Sequence, residues 1–124
     1  MSLTSHFEEQ QGGRVLKVRL VGSLDTNTSP AFDADISPHL KQGIEMLLLD
    51  MKDLEYISSA GLRSVFKASK AIKQLGGRMG VANRKPQIEK VFEIVKALPD
   101  LNIFRDTAEM DEYLTMMQER TKNT

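Results

Sequence analysis

Met46-Leu47-Leu48-Leu49-Asp50-Met51 is an almost uninterrupted apolar run, and a short run of that kind suits a strand buried on both faces. Beyond it the period changes. Over residues 60–75, Leu62, Val65, Phe66, Ser69 and Ile72 fall on one helical face, with Arg63, Lys67 and Lys70 on another. Between the two lies Tyr56-Ile57-Ser58-Ser59-Ala60-Gly61-Leu62-Arg63, which places two serines where a strand-following loop enters a helix. Ser58 or Ser59 is the natural N-cap, with its hydroxyl beside the free N–H groups and positive dipole end of that helix. A phosphate placed there would meet donors that already exist.

The rest of the chain repeats the alternation. A short strand is expected around Ser5-His6-Phe7, then a hairpin turn at 10–13. From Arg14 to Val21, Leu16, Val18 and Leu20 alternate with Lys17 and Arg19, the pattern of a half-buried strand near a sheet edge. Residues 22–28 read as a polar turn leading to a helix that Ser29 caps, with Pro30 at its first position and Phe32, Ile36 and Leu40 as its core stripe. Pro38 should kink or break it. The buried strand is placed at 45–51, the next helix stops at Gly76-Gly77, and Arg78–Ala82 is a short strand. Pro86 opens a third helix carrying Ile88, Val91, Phe92 and Val95, broken at Pro99-Asp100. Leu101–Phe104 is a last strand. Asp106 and Glu109 make a capping box for a closing helix with Met110, Leu114 and Met117, and residues 119–124 look frayed. The order β-β-α-β-α-β-α-β-α implies an α/β domain over residues 1–124: a mixed, mostly parallel sheet of about five strands with about four helices.

Composition narrows the function. Seventeen basic and seventeen acidic residues cancel, which gives no global pull toward nucleic acid or anionic membrane. No apolar stretch is long enough to span a bilayer, no signal peptide is visible, and cysteine is absent, so a cytoplasmic protein without direct membrane insertion is expected. Between Arg63 and Lys90 eight basic residues face one acid, Glu89. That run would dock an acidic surface or lipid head groups, yet it also reads as a solvated helix face. It lacks the aromatic interleaving that stacks bases, which argues against nucleic acid. His6 and His39 are far apart and have no metal-ligand spacing around them, and the serines lack a Gly-x-Ser-x-Gly frame and a base. No catalytic residue, metal or cofactor is expected. The serines also have a plain reading, as capping residues only. Asp25 likewise either starts a turn or meets a partner beside the serine loop, and Asn83, in the loop after the next strand, has a similar but weaker case.

Asp53-Leu54-Glu55-Tyr56-Ile57-Ser58-Ser59-Ala60-Gly61-Leu62-Arg63 resembles the signature of STAS domains, specifically the bacterial anti-sigma-factor antagonists. Gly22-Ser23-Leu24-Asp25 is similar to the family's Gly-x-Leu-Asp turn, and Leu48-Leu49-Asp50, residues 88–98 and Ile103-Phe104 extend the likeness over nearly the whole chain. The resemblance implies a STAS fold and a non-enzymatic partner switch. In the family, the unphosphorylated antagonist binds an anti-sigma factor that is itself an ATP-using serine kinase, and so frees a sigma factor. Phosphorylation breaks the complex, and a PP2C-type phosphatase restores it. The family loop usually reads Asp-Ser-x-Gly-Leu. By position, Ser59 matches the phosphorylated serine, with Ser58 as second choice standing where the aspartate is more common. Asp25, Ser58, Gly61, Leu62 and Asn83 become partner-binding positions, Gly61 by admitting a partner backbone and Leu62 by offering apolar area. The alternative within the same fold is a STAS regulatory subunit of a membrane lipid- or anion-transport assembly, which the basic helix face would suit.

Overall fold

The computed structural model describes residues 2–94, 101–104, 108, 109, 112 and 115. Five strands form one sheet in the order β1-β2-β3-β4-β5. They are β1 (Leu3–Gln10), β2 (Val15–Leu24), β3 (Met46–Ile57), β4 (Arg78–Ala82) and β5 (Leu101–Phe104). The β1–β2 hairpin is antiparallel, and β2 through β5 run parallel. Between them lie α1 (Ser29–Ile36), α2 (Ser59–Gln74) and α3 (Pro86–Ile94). The expected sheet of mixed, mostly parallel strands is therefore present. The break at Pro99-Asp100, Val95, the capping aspartate of the closing helix, its core positions Met110, Leu114 and Met117, and the tail lie outside the described residues. Ala108, Glu109, Glu112 and Thr115 are helical.

Strand parity builds the core. Leu16, Val18 and Leu20 on β2, Leu47, Leu49 and Met51 on β3, and Met79 and Val81 on β4 join Phe32 and Ile36 of α1 and Leu62, Val65 and Ile72 of α2 in one buried cluster. Arg63, Lys67 and Lys70 on the outer face of α2 stay exposed, as its helical period requires. The opposite parity gives a second small cluster of Val15, Met46, Leu48 and Ala82. β3 is thus covered on both faces, which is why its residues 46–51 read as a continuous apolar run.

Four boundaries differ from the expectation. β2 continues through Gly22, Ser23 and Leu24 instead of turning at residue 22. Gly22 is in the left-handed region at φ +112°, and a Cβ there would lie 2.2 Å from the carbonyl oxygen of Ser2, so only glycine lets β1 pair this far. α1 begins at Ser29 with Thr28 in the cap position, not Ser29. It ends at Ile36, where Pro38 converts the chain to a 3-10 turn over Ser37–His39, so Leu40 lies past the helix and Gln42-Gly43 does not end it. The largest difference is β3, which runs on to Ile57. Two register shifts relative to β2, one around Leu20 and one between Gly22 and Ser23, insert extra β3 residues. Such bulges erase the period-2 signal, and so the polar stretch 52–56 read as loop.

Candidate functional site

β2 and β3 end together. Leu24 pairs with Ile57, and the next residues, Asp25 and Ser58, stand side by side on one rim of the sheet. The Ser58 amide donates to the Leu24 carbonyl at 3.0 Å, fixing the chain at the strand exit. Ser58 has extended backbone angles, and its Oγ accepts from the Gly61 amide at 3.1 Å, while the Leu62 amide donates to its carbonyl at 2.9 Å. Of the two serines, Ser58 is the N-cap and is half-buried. Ser59 is the first helical residue and is exposed. The Ser59 and Ala60 amides have no acceptor inside the helix, because the first turn of any α-helix leaves its leading N–H groups open. No acidic side chain lies in that turn.

The Asp25 turn closes on itself. Asp25 Oδ1 accepts from the amides of Asn27 at 2.9 Å and Thr28 at 3.0 Å. Its amide donates to Thr28 Oγ1 at 2.9 Å, and the Thr28 hydroxyl in turn donates to the Ser23 carbonyl at 2.8 Å. An aspartate that binds its own following amides makes an Asx turn, so the turn-starting reading is correct. Among the described residues nothing hydrogen-bonds to Oδ2, which leaves one oxygen of this half-buried carboxylate without a partner in the turn.

Two of the expected contact residues point the other way. Leu62 is only 2% exposed and belongs to the core, because its helical position faces the sheet; it offers no apolar area to a partner. Gly61 is buried as well. A Cβ on it would sit 2.4 Å from the Leu24 carbonyl oxygen and 2.9 Å from Ile57 Cγ1. Its missing side chain admits the ends of β2 and β3, not a partner backbone.

Asn83 is also separated from the rim. It follows Ala82, which pairs with Asp50, while β3 continues to Ile57 before it reaches the serines. Asn83 adopts φ +60°, and its side-chain Nδ2 donates to Asp50 Oδ1 at 3.0 Å. Asp50 is buried, receives the Lys52 amide at 3.1 Å on the same oxygen, and faces Lys17 Nζ at 3.7 Å on the other. Asn83 therefore serves a buried polar cluster, which satisfies a carboxylate that burial would otherwise penalise.

Sequence reasoning missed Tyr56. At 48% it is the exposed large hydrophobic side chain of the described residues, two positions before Ser58. The register shift that leaves Glu55 unpaired exposes Glu55 and Tyr56 in succession. No sequence signal marks it, because a polar residue followed by an aromatic one is also what a regular half-buried strand shows, one on each face. The basic run, by contrast, is dispersed: Lys67 lies 3.7 Å from Asp33, Lys85 pairs with Glu55, and the Arg84 guanidinium sits 5.1 Å above the Phe92 ring. Among the described residues no group of three or more His, Cys, Asp or Glu side chains converges for a metal, and no helix is long and apolar enough to cross a membrane.

Comparison with known proteins places this geometry. The STAS domain family profile matches residues 6–110. BtrV of Bordetella bronchiseptica, which carries the name of an anti-sigma factor antagonist, is 33% identical over 75 residues, 60% of this chain and 65% of that protein's length. The anti-sigma F factor antagonist of Paenibacillus polymyxa is 30% identical over 95 residues, 76% of this chain and 80% of its own. The structure of the anti-sigma factor antagonist SpoIIAA in its unphosphorylated form superposes with a TM-score of 0.68 at 21% identity, covering 93% of this chain and 98% of SpoIIAA. The phosphorylated Bacillus form gives 0.66 at 22% identity, covering 89% and 99%. At these identities the structural likeness is one of fold.

Proposed function

The chain belongs to the STAS domain family, and we propose that it acts as an anti-sigma-factor antagonist whose partner binding is switched by phosphorylation of Ser59. The observation that carries the reading is the pairing of an exposed Ser59 hydroxyl with the open amides of the first turn of α2, on a rim shared with Asp25. The names of the relatives supply the partner class. Asp25 Oδ2, Ser58 and the exposed Tyr56 ring make the contact surface, the ring replacing Leu62 as apolar anchor, since aromatic anchors dominate interface energies. Ser58 keeps the capping role and thereby presents Ser59 outward.

The switch follows from charge. A phosphoserine carries roughly −1.5 to −2 charges near neutral pH. On its own helix the added anion is stabilised by about 1 kcal/mol through the dipole and the Ser59 and Ala60 amides, so the domain stays folded. In an interface built on a neutral hydroxyl the same charge is desolvated without a partner, at a cost of several kcal/mol. Since ~1.4 kcal/mol is tenfold in affinity, no large conformational change is needed. The partner in this reading is an anti-sigma factor that is also an ATP-dependent serine kinase, and a PP2C-type phosphatase resets the switch.

Fragment mass spectrometry after incubation with ATP and source-organism lysate tests the site, with one phosphoryl group expected on Ser59. Affinity capture then tests the switch: Ser59→Ala should hold the anti-sigma factor, and Ser59→Asp should lose at least about tenfold in affinity. A phosphate on Ser58 would move the switch by one residue. Equal binding by wild type and both variants would refute the reading.

A further inference from the structure

We propose that the outer edge of β1 is a self-association surface, on which a second copy of this chain adds its own β1 antiparallel across a two-fold axis at Phe7. Ser23 donates its amide to Ser2 at 2.9 Å, and Leu3 stands opposite Gly22. By the alternation of antiparallel pairing, the even-numbered residues of β1 bond to β2, and Leu3, Ser5, Phe7 and Glu9 turn their N–H and C=O groups outward. No backbone hydrogen bond from the described residues reaches those groups.

Edge strands of this length are normally blunted by proline, charged side chains (lysine above all), a bulge or a covering element. β1 has neither proline nor a bulge, and its charges are the two acids Glu8 and Glu9. Its eight residues contain no proline, lysine or glycine, and its pairing with β2 runs from Leu3 to Gln10 without a register shift.

Side-chain chemistry selects the occupant and the register. When two copies pair through Phe7, the outward groups of Phe7 meet those of the other Phe7, and those of Ser5 meet Glu9 on either side of the axis. On the opposite face each His6 comes to stand across from Glu8 of the second copy, so that an imidazole N–H faces a carboxylate twice. Shifting the axis to residue 6 sets His6 against His6 and Glu8 against Thr4; shifting it to residue 5 sets Leu3 against Phe7 and leaves Glu8 facing Ser2. The register through Phe7 is the complementary one. It also extends a row of charges, because Arg19 flanks His6 and Lys17 flanks Glu8 within each sheet. Both His6 and Glu8 are exposed, and the Phe7 ring is held in place by stacking on His39 at 4.0 Å. This surface lies apart from the serine rim, and the inference does not depend on the switch.

Sedimentation velocity on the full chain across a concentration series tests it, with circular dichroism melts to confirm folding of each variant. Wild type is expected to show a reversible monomer–dimer equilibrium. Ser5→Pro removes an outward amide that β2 does not use, so a folded variant should be monomeric. Glu8→Lys should weaken association about tenfold or more, and His6→Glu with Glu8→Lys should restore it. Only the register through Phe7 predicts that recovery. A wild type that stays monomeric at every concentration overturns the proposal, as does a dimer indifferent to Glu8→Lys. Should Ser5→Pro fail to fold, the Glu8→Lys single and double variants decide the matter.

Discussion

Asp25 and Asn83 both follow the carboxyl ends of parallel strands on the same side of one sheet, yet only Asp25 reaches the serines. β2 and β3 stop level with each other at Leu24 and Ile57, whereas β4 stops at Ala82 opposite Asp50 and leaves the rest of β3 running on. The result is two polar regions of different character. One is an exposed rim made of the Asp25 turn, Tyr56 and Ser59. The other is the inward Asp50–Asn83–Lys17 cluster, closed around a buried carboxylate. In a parallel sheet, the length of each strand, and not only its order, decides which loops share a site.

The strongest attempt to break this contrast is Gly61→Val. The added side chain meets backbone 2.4 Å from its Cβ and cannot be accommodated by a rotamer change. Chemical denaturation should show a loss of about 3 kcal/mol or more, with the rim displaced along with the start of α2. A fully stable variant would show that Gly61 does not hold the helix against β2 and β3.

Asp50→Ala comes next. It strands the Asn83 amide and leaves Lys17 without its buried counter-charge, so stability should fall by about 2 kcal/mol. Partner capture by the folded protein should not change, because the cluster lies away from the rim. A folded Asp50→Ala protein that no longer binds would join the two regions into one site.

The smallest effects separate the adjacent serines. Ser58→Ala removes the acceptor of the Gly61 amide and should cost about 1 kcal/mol in thermal or chemical unfolding. Ser59→Ala should stay within about 0.5 kcal/mol of wild type while abolishing the phosphoryl acceptor. Reversed magnitudes would exchange the roles of cap and switch.

Much of this was legible in advance, for identifiable reasons. The helix spacing of Leu62, Val65 and Ile72 survives in the structure because a continuous helix keeps its period. Pro38 ended α1 as its missing amide requires. Tyr56 and the length of β3 were hidden because bulges break the alternation that reports a strand. Leu62 is buried although its place beside the serine loop suggests a contact role, because its helical spacing with Val65 and Ile72 sets it on the core face.

From sequence alone came the alternation of strands and helices, the strand buried on both faces, and the serines at a helix start. These rest on local propensity and periodicity, which neighbouring residues determine among themselves. Which serine caps and which is presented, why Gly61 must lack a side chain, and why Asp25 joins the rim while Asn83 turns to Asp50 were decided by tertiary structure. Each depends on how far one strand runs past another, and that distance is set by contacts between residues remote in the chain.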